Sequence, residues 1–83
     1  MSYLVLKIAN NKVEQQDISI SRSDAAQLGA RMVSDKPDAR NEEQQSKIQD
    51  MLYNNSYAHG TNWALQLLWM NTTVSPAFIR TQG

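Results

Sequence analysis

A chain of 83 residues is one domain with a thin core, since a domain of this size buries only about 60–65% of its unfolded surface. The absence of cysteine removes disulfides and thiolate zinc sites as staples and leaves association with another chain. Eight basic against eight acidic residues give zero formal net charge, without the basic surplus through which nucleic-acid binders neutralise phosphate.

The opening stretch, Tyr3 to Ile8, is rich in β-branched and apolar residues and predicts a strand. Its apolar run before Lys7 is four residues long, too short for a secretion signal or a membrane span. With the missing cysteines, the expectation is a cytoplasmic chain with no membrane partner. Asn10-Asn11 suits a tight hairpin turn, because asparagine tolerates the left-handed conformation, and Val13 to Ile20 is the returning strand. A plain two-residue turn sets Lys7 opposite Glu14 and Ile18 opposite Tyr3. A one-residue bulge near Gln15-Gln16 instead brings Ile18 and Ile20 onto the face of Leu4, Leu6 and Ile8. Either the sheet is covered on both faces or the hairpin is bulged.

Ser21-Arg22-Ser23-Asp24 has capping-box spacing, with Ile20 and Ala25 placed as a hydrophobic staple. Ala25, Leu28, Gly29 and Met32 then form the buried stripe of a first helix. Pro37 ends it, because the residue before a proline avoids helical dihedrals. Asn41-Glu42-Glu43-Gln44 opens a second helix with a narrow stripe of Ile48, Met51, Leu52 and Tyr53, and Glu43 and Lys47 pair on its wet side. Residues 54–60 read as a loop. From Trp63 to Met70 only Gln66 is polar, both sequence parities are apolar and no residue is β-branched, so the stretch reads as a third helix over 62–71. The fold expectation is α+β: one domain over 1–83 in which an N-terminal antiparallel hairpin packs against two to three helices.

Little in the chain carries catalytic chemistry. His59 is the sole histidine and has no matching second ligand, so neither a metal site nor a cofactor is expected. Glu42 and Glu43 point about 100° apart on a helix and cannot share a substrate. Three scattered glycines do not make a phosphate loop. Arg31, Lys36 and Arg40 are the one basic grouping that folding can gather, and they define a nucleic-acid alternative that overall neutrality disfavours. A small enzyme built on His59 is the further alternative.

The uneven charge is more informative. From Met51 onward Arg80 is the only formal charge, whereas the first fifty residues hold the other fifteen. An uncharged stretch rich in Trp, Met and Leu has the composition of a protein interface. The expectation is a non-enzymatic interaction module, a regulator, adaptor or inhibitor that binds another protein and forms a homodimer. Leu65, Trp69, Tyr57 and Phe78 are the expected contact residues, with Trp63 in the core.

Overall fold

The computed structural model describes residues 2–70. The chain forms β1 (Ser2–Ala9), β2 (Lys12–Ser19), α1 (Arg22–Met32), α2 (Glu42–Asn55), β3 (Tyr57–His59) and β4 (Ala64–Met70). The strands make one antiparallel sheet in the order β2-β1-β4-β3. Both helices pack on the same face of it, where Val5, Ala58, Leu65 and Leu67 meet Ala25, Ala30, Val33, Ile48 and Leu52. The α+β class and the N-terminal hairpin are as expected, and the helices number two among the described residues.

Asn10 and Asn11 have φ values of 55° and 63°, the paired left-handed residues of a type I′ turn. Beyond the turn Ile8 stands opposite Val13, but Lys7 stands opposite Gln15. Glu14 is therefore the extra residue of a bulge, one position before the site expected from the sequence. Its carboxylate still reaches the Lys7 ammonium, at 3.7 Å.

Ser21 caps α1 by accepting a bond from the Asp24 N–H at 3.1 Å. Ile20 does not act as a staple, being 81% exposed. The buried face of α1 is Ala25, Ala26, Gly29, Ala30 and Met32, so Leu28 sits at its margin. Small residues let α1 lie close to its neighbours. A Cβ on Gly29 would stand 2.5 Å from Leu52 Cδ1 and 3.2 Å from Val5 Cγ1, which marks this glycine as the meeting point of α1, α2 and the sheet.

Asn41 and Gln44 complete the capping box of α2, with reciprocal bonds of 2.8 and 3.1 Å. Of the expected stripe only Ile48 and Leu52 are buried; Met51 and Tyr53 are exposed. Two polar side chains lock the antiparallel helices together. Arg22 donates to the Tyr53 carbonyl at 2.6 Å, one of the groups that the end of α2 leaves open, and to Ser56 Oγ at 2.8 Å. Gln45 donates to the carbonyls of Ala30 and Ala39, at 2.7 and 2.5 Å.

The expected third helix is a strand, and part of the expected loop before it, Tyr57–His59, is its hairpin partner. Helix propensity among ordinary residues spans only about 0.7 kcal/mol per residue. Strand β4 is paired on both edges, with β1 and with β3, and those ladders override the local preference. An interior strand with apolar residues on both faces shows no alternation. That is why the sequence of β4 reads as a uniformly buried segment.

Candidate interaction surface

The register divides every strand into two sets of side chains. Val5, Lys7 and Ala9 of β1 are buried on the helix side. Leu4, Leu6 and Ile8 alternate with them and point the other way. Directly opposed residues share a face, so Leu4 gathers Ile18 and Leu68, Leu6 gathers Gln16 and Gln66, and Ile8 gathers Val13 and Ala64. Tyr57 and His59 extend this set at the short edge strand, opposite Gln66 and Ala64, with ring centroids 5.7 Å apart. No described helix covers this side. Ile18 is 48% exposed, Leu68 is 42% exposed and Val13 is half exposed.

The bulge determines what this open face is made of. In a plain register Asp17 would oppose Leu4 and Ile18 would oppose Tyr3. With Glu14 as an extra residue, Asp17 opposes Val5 and Ile18 opposes Leu4. Asp17 has thus moved to the helix side and Ile18 to the open side. Lys7 and Lys12 also belong to the helix side, Lys12 by its pairing with Ala9, and Glu14 turns toward Lys7. All formal charges of the described strands are therefore off the open face. Its polar members are Ser2, Gln16, Gln66 and His59, and the Gln66 amide is occupied by the Ser56 carbonyl at 3.0 Å.

The residues singled out from sequence fall in different places. Leu65 is a correction: it is fully buried in the core and has no surface to offer a partner. It was misplaced because a helical reading of 62–71 turned it outward, whereas strand alternation sets it on the helix side with Leu67. Trp63 is buried, as expected. Trp69 is 53% exposed but opposes Tyr3, so it stands at the end of β4 on the helix side of the sheet. Tyr57 is exposed on the open face. Phe78 lies outside the described residues. The main members of the surface, Leu4, Leu6, Ile8, Ile18 and Leu68, were not singled out. The signal for them was the bulged alternative, which alone puts Ile18 among the leucines.

His59 is exposed on β3, and the described residues hold no group of three His, Asp or Glu side chains placed to bind a metal. Arg31 and Arg40 are exposed and Lys36 half-buried, with Asp35 and Asp38 interleaved; the Arg40 guanidinium donates to the Asp35 carbonyl at 3.4 Å. No described helix is long and apolar enough to cross a membrane.

A groove of about 190 Å³ lies between the α1–α2 connection and the β3–β4 turn, lined by Lys36, Pro37, Asp38, Thr61, Asn62 and Trp63. Its polar centre is already occupied. Asp38 Oδ1 accepts from the Trp63 indole at 2.8 Å, and Oδ2 accepts from the Thr61 N–H at 2.9 Å. The indole bond first, and the Thr61 bond second, hold the Asp38 carboxyl below its ordinary value of 3.8. A Cβ at Gly60 would strike both the Trp63 ring and the Asp38 carboxylate, so only glycine fits there. The groove is a latch between two loops. In comparisons with protein-family models, curated proteins and solved structures, the chain matches none.

Proposed function

We propose that this chain is a non-enzymatic interaction module of the cytoplasm that binds a protein partner through the open face of its sheet. One observation carries the reading: the Glu14 bulge takes Asp17 off that face and puts Ile18 on it, beside Leu4 and Leu68. A sheet face meant for water carries polar side chains in alternation with the buried ones. Here the outward set is uncharged and centred on Leu4, Leu6, Ile8, Ile18 and Leu68, and an exposed apolar surface of this kind marks an interaction site. Tyr57 at its edge adds an amphipathic ring suited to a contact rim.

The test uses the full chain with a photoreactive amino acid in place of Leu6 on the open face, and separately in place of Tyr53, which is exposed on α2. Illumination in the native extract should give discrete protein adducts from position 6 and not from position 53. No adduct from position 6, or the same adducts from both, overturns the reading.

A further inference from the structure

We infer that the occupant of the open face is a second copy of this chain, packed sheet against sheet about a two-fold axis. The inference rests on the open face being an interaction surface and names its partner.

Charge is the first argument. The described part of the face holds no formal charge on any of its four strands. A partner recognised by charge would find nothing there to pair with, and burial of its own charges would go uncompensated. A second copy brings the same uncharged surface, so no ion is desolvated and no like charges meet. An isologous contact also closes on itself and leaves no apolar patch for further growth.

Shape is the second argument. Sheets stack face to face at about 10 Å with strands within about 30° of alignment, which lets the side chains of two such faces interdigitate. The described helices both lie on the far side of this sheet, so two copies give helix, sheet, sheet and helix layers with a second core between the sheets. The bulge contributes directly, because the plain register would bury Asp17 of both copies in that core.

Area sets the strength. Strands about 4.8 Å apart at about 3.3 Å per residue, three of them seven or eight residues long and β3 only three, present roughly 400 Å². Two copies together bury roughly 800 Å², below the about 1,200 Å² at which standard stable interfaces begin, which is the size of a weak, reversible pair. A chain of 83 residues without disulfides benefits from that added burial.

The experiment is sedimentation equilibrium of the full chain from about 1 to about 300 µM, the range in which a micromolar dimer dissociates. The native chain should pass from monomer to dimer across this range. Ile18→Asp and Leu68→Glu should stay folded by circular dichroism and weaken the dimer at least about tenfold. Ile20→Glu, which alters an exposed residue outside the described strands, and Trp69→Glu, on the helix side, should leave it unchanged. A dimer that survives Ile18→Asp and Leu68→Glu, or is lost with Trp69→Glu alone, overturns the inference.

A monomer throughout the range also overturns it, and a thiol probe then separates its failure from that of the broader reading. Because the chain has no cysteine, Leu68→Cys introduces a single reporter. Rapid modification in the folded monomer, at a rate close to the unfolded chain's, means an open face that still awaits a different protein. Slow modification of the monomer means that the chain covers its own face, and both readings fall.

Discussion

The two faces of this sheet are made by the same strands and differ by one residue of parity. On the helix side Val5, Leu65 and Leu67 are sealed beneath α1 and α2. On the other side Leu4, Leu6, Ile18 and Leu68 are nearly as apolar, yet no described element covers them. Composition therefore does not separate core from surface here; cover does. A helix layer made of Ala25, Ala26, Gly29 and Ala30 can sit close to one face only, and the hydrophobic contribution follows the area removed from water.

The sharpest way to break this comparison is to truncate two leucines on one strand. Leu65→Ala empties a fully buried site in β4 and should destabilise the chain by about 2–5 kcal/mol. Leu68→Ala, three residues on and facing the other way, should alter the stability of the dilute monomer by less than about 1 kcal/mol. Urea melts at low micromolar concentration decide it. Equal losses would mean that the open face is covered after all.

A smaller effect is expected on the covered side from Gly29→Ala. Helix propensity favours the change by about 1 kcal/mol, but the new Cβ would crowd Leu52 and Val5, both fully buried. Overpacking of such a site opposes folding by about 1–3 kcal/mol, so net destabilisation of about 1 kcal/mol should appear in thermal melts. A stabilised variant would show that the helix layer has room to move.

The latch between the loops gives a pH-dependent test. The folded Asp38 carboxyl titrates below 3.8, so its contribution is fully present above that value and is lost as pH falls through the depressed one. Asp38→Asn should be less stable than the native chain at pH 7. The difference should shrink below pH 3.8, as native Asp38 takes up its proton. A difference that stays constant on acidification would assign the latch to shape and not to charge.

The smallest effect belongs to the outer face of α2. Glu43 and Lys47 lie 3.7 Å apart with both side chains largely in water. Glu43→Ala should change stability by less than about 0.5 kcal/mol, and the change should vanish at high salt.

Much of this architecture was legible because its signals are local. The Asn10-Asn11 turn depends on two residues that accept positive φ. Asn41 and Gln44 announce the start of α2 by a reciprocal bond spanning three positions. The Lys7–Glu14 pair follows from the hairpin, although the bulge changes the partner directly opposite. The candidate surface was legible only in part. Tyr57 is on it, but Leu65 is in the core and Trp69 on the other side, because their placement rested on reading 62–71 as a helix.

By itself the sequence determined the class of the fold, the hairpin, both helix starts and the shortage of charge in the C-terminal third, since each depends on residues a few positions apart or on composition. Only tertiary structure decided that Ala64–Met70 is a strand. It is held by ladders to β1, some sixty residues earlier, and to β3, and their bonds outweigh propensities of a few tenths of a kcal/mol per residue. The same holds for the open face. Whether Ile18 or Asp17 stands beside Leu4 turns on one extra residue in the ladder, and side-chain parity in a strand has period two, so a single insertion exchanges the faces.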